Sequence, residues 1–98
     1  MVKFIVYRTW YHEKGLSPAD EMRKGMRDNV KPLSPAEDIF WWKRDDNHHQ
    51  SITIYSSEEV AKKHRAELEE FRKKSSSDYS IKMVEETMGP VIAQMSKL

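Results

Sequence analysis

The sequence predicts an α+β domain, a four-stranded antiparallel sheet with two helices on one face. Three observations point there. The 98 residues read as the same unit twice, a strand, a helix and a strand in each half. The two helices share an apolar spacing, Met22, Met26 and Val30 in the first and Val60, His64 and Leu68 in the second. Turn chemistry at Asp45-Asp46-Asn47-His48 closes a hairpin between the middle strands.

Each element has its own justification. The first strand, about Val2 to Trp10, is β-branched and aromatic, and both its faces are apolar where it begins. Ser17 is expected to cap the first helix, with Pro18 at its first position. That helix carries Gly25 near its buried face, leaving close packing on the sheet or room for a ligand as readings, and ends before Pro32. Strand two, about Glu37 to Arg44, centres on Ile39-Phe40-Trp41-Trp42, and strand three spans about His49 to Tyr55. Ser56 with Glu59 reads as a capping box for the second helix, which Glu58–Lys62, Glu59–Lys63, Glu69–Lys73 and Glu70–Lys74 pairs support. Strand four, about Tyr79 to Thr87, is expected to break at Gly89-Pro90, leaving 88–98 as a tail with Val91, Ile92 and Met95 on one side. The whole, 1–98, is one expected domain.

Composition narrows the function. Seventeen basic residues against sixteen acidic ones, interspersed along the chain, make no electrostatic footprint for nucleic acid. The absence of cysteine excludes disulfide scaffolding, thiolate metal sites and cysteine nucleophiles. No stretch approaches the ~20 apolar residues that span a bilayer, and Met1 leads straight into a strand, so a cytoplasmic protein without a membrane is expected. Three isolated glycines make no phosphate loop, and no cofactor is expected.

Apolar residues on both faces of strands one and two need more cover than two helices give. With the usual strand order 4-1-3-2, strand two lies on an edge, and a second copy of the sheet is the simplest cover for its free face. A homodimer with helix-free faces together is expected; loops and tail folding over that face are the alternative.

On two local features the chain resembles the dimeric α/β-barrel superfamily, of ferredoxin-like fold. They are the opening strand Val2-Lys3-Phe4-Ile5-Val6-Tyr7 and the strand-to-capped-helix junction Ser51-Ile52-Thr53-Ile54-Tyr55-Ser56-Ser57-Glu58-Glu59-Val60. The junction is similar to that of the antibiotic-biosynthesis-monooxygenase group. The resemblance implies a homodimer with a pocket in each protomer between sheet and helices. Of the Asn, Trp and His constellation of the haem-degrading members, only the helix-borne His64 has a counterpart.

Four residues stand out as candidates. His64 replaces a core residue in the stripe of helix two, as a general base or as a packed, hydrogen-bonded histidine. Trp10 and His12 end strand one and enter a loop, where they either line a pocket mouth or seal the core and meet solvent respectively. Trp41 and Trp42 point to opposite faces, one to the helix-side core or pocket and the other to the dimer interface; parity does not say which, and Trp42 is the candidate for the pocket wall. His48 and His49, beside Asp45 and Asp46, read as a solvated turn and not as a metal site. Arg8 is expected to pair with Glu85 or Glu86. Together these lead to a small-molecule-binding homodimer, a cofactor-independent monooxygenase-like enzyme acting on a small aromatic or polyketide-like substrate. The alternative is a non-catalytic ligand-binding or protein-interaction dimer. An ordered cavity holding His64 favours the first, and a side-chain-filled interior the second.

Overall fold

The computed structural model describes residues 2–74 and 80–98, without the side chains of 71–74. Strand β1 (Phe4–His12) leads to helix α1 (Ala19–Gly25), which widens into a π-helical turn over Met26–Val30. Strands β2 (Asp38–Asp45) and β3 (His48–Tyr55) form the hairpin, followed by helix α2 (Glu58–Lys74) and strand β4 (Ile81–Pro90). A short 3-10 turn, Met95–Lys97, closes the chain. The sheet order is β2-β3-β1-β4 and every neighbouring pair is antiparallel, the expected arrangement.

The boundaries differ from expectation at several ends, each with a local cause. β1 runs two residues past Trp10, because Tyr11 pairs with His48 and His12 with Ile81. β4 does not break at Gly89-Pro90. These residues pair with Ile5 and Phe4, and β4 is an edge strand, where a missing proline N–H is tolerated. α1 starts at Ala19, since Pro18 has an extended ψ of 149° and the helix has no side-chain cap, so Ser17 does not cap it. α2 is capped one residue later than expected: the Val60 N–H donates to Ser57 Oγ at 3.3 Å. Of the expected α2 pairs, Glu58–Lys62 forms at 2.8 Å. Those of Glu69 and Glu70, the Phe71 side chain and Tyr79 lie outside the described residues.

Alternation along the strands sorts the side chains onto two faces. Phe4, Val6, Arg8, Trp10 and His12 of β1 and His49, Ser51, Thr53 and Tyr55 of β3 face the helices. Ile5, Tyr7, Phe40, Trp42, Ile52 and Ile54 face away from them. Among the described residues the apolar core is small: Phe4, Val6, Tyr55 and Ala61, with Val60 and Met88 packed against it. The expected helix-side core is corrected here. Met22, Met26, Val30, Val60 and Leu68 are only half-buried, and Met22, Val30 and Leu68 line a cavity between the helices and the sheet instead of filling it.

Candidate functional site

That cavity measures 730 Å3 and is walled by the covered face of the sheet, α1, its π-turn and α2. Its breadth follows from the residues facing it. Ser51 and Thr53 give β3 a floor of small side chains. Gly25 contributes no side chain, and a Cβ there would meet nothing within 4 Å. Of the two readings of Gly25, leaving room fits and close packing does not.

At one end lies His64. Its position on α2, nine residues after Tyr55, brings its Nδ1 to 2.6 Å from the Tyr55 hydroxyl. Tyr55 is only 1% exposed. Burial pushes its phenol pKa up, and the neighbouring Arg8 guanidinium, interacting with the phenol oxygen, pulls the other way. An oxygen approached by a guanidinium, which is only a donor, directs its own hydrogen toward the imidazole. Tyr55 thus donates to His64 Nδ1, and Nε2 is left as the nitrogen available to the cavity. Burial lowers the His64 pKa, Glu67 opposes this and Arg8 adds to it, so the ring is neutral at pH 7.

Arg8 is itself held by Glu86, one of the two partners expected for it. Arg8 Nε donates to Oε2 at 2.9 Å, while Arg65 Nη2 and Nε donate to Oε1 at 2.7 and 3.0 Å. Burial alone would raise the Glu86 carboxyl, but the hydrogen bonds from Arg65 and Arg8 outweigh it and hold the group below its ordinary value. Arg65 also reaches Glu69 at 3.5 Å, and Glu67 lines the cavity beside His64, so carboxylates balance the two guanidiniums here.

At the other end stands a histidine pair. His12 Nε2 and His49 Nδ1 are 2.7 Å apart, and the two rings are 8% and 7% exposed. His49 was expected in a solvated turn, and that expectation is corrected; of the two readings of His12, the cavity-lining one fits and the solvated one does not. His12 lies in β1, tied down by Asn47, which accepts from the His12 N–H and donates its side-chain amide to the His12 carbonyl. His49 is a β3 residue facing the helices, whereas His48 points away and bonds Asp45 at 2.8 Å. Indole rings flank His49, Trp10 stacked at 6.2 Å and Trp41 tilted at 5.5 Å. Burial, then His12, lowers the His49 pKa to about 4; burial, then His48, lowers that of His12.

The structure thus brings His64, Trp10 and His12 around one cavity and leaves Trp42 outside it. Trp41 takes the wall position instead. Trp42 points to the open face, where its Nε1 donates to Gln50 at 3.0 Å and its ring meets Tyr7 at 6.2 Å. It borders only an adjoining groove at the sheet edge. Tyr55, Trp41 and His49 were missed as site residues. The alternation His49, Ser51, Thr53, Tyr55 is the signal for two of them, a polar face of period two beside apolar Ile52 and Ile54. Among the described residues no cluster of three or more His, Asp or Glu is placed to hold a metal ion. Among them, too, no helix is long and apolar enough to cross a membrane.

No family model and no curated protein matches the chain. Among solved structures it is similar to the crystal structure of a dimeric ferredoxin-like protein from an uncultured marine organism. The TM-score is 0.67 at 14% identity, over 96% of this chain and 99% of that one. The likeness establishes the ferredoxin-like fold, while the resemblance to the antibiotic-biosynthesis-monooxygenase group has no counterpart in these comparisons.

Proposed function

We propose that the protein is a homodimer in which each protomer binds a small, flat aromatic molecule between sheet and helices and exchanges a proton with it. The observation that carries this reading is the cavity of 730 Å3 with the Tyr55–His64 hydrogen bond at its wall. Ligand sites are concave and mostly apolar with a few convergent polar groups, and cavities of ~300–1,000 Å3 suit drug-sized molecules. Trp10, Trp41 and Leu68 supply apolar walls here, and His64, Tyr55 and Arg8 the polar groups.

The proton path follows from the hydrogen bonds. His64 Nε2–H gives its proton to an oxyanion on the ligand while Nδ1 takes the Tyr55 proton, and Arg8 steadies the phenolate left behind. Run backwards, the same path removes a proton from a ligand hydroxyl. In a monooxygenase-like reaction the ligand enters as its carbanion, and dioxygen adds to the carbon. His64 then gives the proton to the peroxo oxygen, and the phenolate state takes one back from carbon through His64 as the O–O bond breaks, C=O forms and hydroxide leaves.

Self-association is supported by the open face, where Phe40 and Trp42 remain 54% and 38% exposed beside Ile5, Tyr7, Ile52 and Ile54. The solved protein of similar fold is described as dimeric. Ile92, Met95 and Leu98 of the tail are almost wholly exposed, apolar surface that a second copy would cover.

The test is His64→Leu, with 2-naphthol as probe and tryptophan quenching as readout. The substitution should leave the fold intact with a modestly lower Tm, since the Tyr55 hydroxyl loses its acceptor, and weaken naphthol about 3–10-fold, one neutral hydrogen bond. An unfolded variant would make His64 a structural residue. Unchanged binding would show that the cavity is not the site.

A further inference from the structure

His49 lies where two hollows meet. With Trp41, Met22 and Ser17 it lines both the main cavity and the adjoining groove of 540 Å3 along Gly15–Ala19. A ligand entering from the groove meets it before it reaches His64. The residue is 7% exposed and hydrogen-bonded at Nδ1 alone among the described residues. Among them no fully buried side-chain nitrogen or oxygen lacks a partner, so Nε2 keeps access to the cavity that His49 lines, where a ligand oxygen can reach it.

We propose that His49 is a second ligand-binding residue, at the mouth of the cavity, taking a hydroxyl or carbonyl oxygen on an aromatic ring that lies in the cavity beside Trp10 or Trp41. This deepens the small-molecule reading above and rests on it. His12 is the positioning residue. The single hydrogen shared between His12 Nε2 and His49 Nδ1 decides what His49 Nε2 offers. When His12 donates, Nδ1 is the acceptor, so the neutral His49 ring carries its hydrogen on Nε2 and donates to a carbonyl. When His49 donates through Nδ1, Nε2 is bare and accepts from a hydroxyl. The pair thus has two neutral tautomers, one for each oxygen, and passing between them moves the shared hydrogen while solvent takes one from His49 Nε2 and returns one to His12 Nδ1. Its neutrality is consistent with the lowered pKa values of both rings. The flanking indoles provide faces on which an aromatic ring stacks.

The experiment titrates the full chain with 2,6-dihydroxynaphthalene, which carries a hydroxyl at each end, and with 2-naphthol, whose one hydroxyl goes to His64. Long-range 1H–15N spectra of the histidine rings are followed alongside affinity. The diol should shift the His49 Nε2 resonance as well as that of His64, and 2-naphthol that of His64 alone. His49→Phe should weaken the diol about 10-fold and leave 2-naphthol within about twofold. If His49→Phe does not fold, His49→Gln and the wild-type spectra decide the matter. Replacing His12 by Phe should alter the His49 Nδ1 and Nε2 shifts in the ligand-free protein, and His12→Gln, which can still donate or accept, should restore them. A diol response at His64 alone overturns this proposal and leaves the small-molecule reading standing. No binding of either probe overturns both.

Discussion

The two faces of the sheet invert the usual arrangement. The face that the helices cover carries Arg8, His12, His49, Ser51 and Thr53, all buried, with only Phe4 and Val6 as plain hydrophobes on β1. The uncovered face carries Ile5, Tyr7, Phe40, Trp42, Ile52 and Ile54 around a hydrogen-bonded group of Tyr7, Thr9, Gln50 and Glu85. A domain stabilised only by its own core would put more of the apolar set on the covered side, because burying polar groups without partners is costly and burying apolar area is favourable. The proposed function accounts for the difference: the polar covered face leaves space for a ligand, and the open face suits a second copy.

This contrast can be broken from several sides. The largest effect belongs to the small apolar core where the covered face is filled. Phe4→Ala should cost about 3–5 kcal/mol by chemical denaturation, since Phe4 packs with Val6, Tyr55 and Ala61. A cost near ~1 kcal/mol would show that the core lies elsewhere.

Acid should come next. His49 has its pKa lowered to about 4 in the fold from an ordinary 6.5, with His12 and His64 lowered as well. A base with a depressed folded pKa is protonated first in the unfolded chain. Stability is therefore full above about pH 6.5 and declines as pH falls toward 4, by roughly 2–3 kcal/mol for His49. Glu86, held below its ordinary value, adds a further loss as its carboxylate is protonated. Denaturant midpoints at pH 7 and 4.5 check this, and His49→Gln should flatten the slope. A wild-type protein of constant stability across that interval would show that the pair is solvated.

The smallest effect is expected where the covered face is hollow. Leu68→Ala, at a half-buried position on the cavity wall, should cost about 1 kcal/mol, well under the Phe4 value. A cost equal to that of Phe4→Ala would mean that the cavity is closed and packed.

Much of this architecture was legible in the chain. The hairpin chemistry at Asp45–His48, the serine caps before Glu58 and the twin helix spacing lead to the order of elements along the chain, and the usual arrangement of that fold supplies the strand order. The orientation of strand two was not legible, because Trp41 and Trp42 are equally apolar and alternation alone assigns neither to a face. The register does so, Trp41 pairing with the buried Ser51 and Trp42 with Gln50. His49 was hidden by its neighbours. Next to Asp45, Asp46 and His48 it has the composition of a turn, yet β3 begins at His48, and the next residue faces inward. The helix stripes mislead in the same way, since apolar spacing looks alike on a packed core and on a cavity wall. His64 alone, a polar residue inside such a stripe, marked the difference.

The most direct test of the division between the faces is one variant measured in two ways. Trp42→Asp places a charge on edge strand β2 of the open face, outside the lining of the His64 cavity. Sedimentation velocity at micromolar concentration should find the wild type dimeric and the variant monomeric, an association loss of about 30-fold or more for a buried aromatic anchor. Titration of the same variant with 2-naphthol should return an affinity within about twofold of wild type, because additivity holds for separate sites. A variant that stays dimeric, or one that loses naphthol along with its partner, would contradict the account.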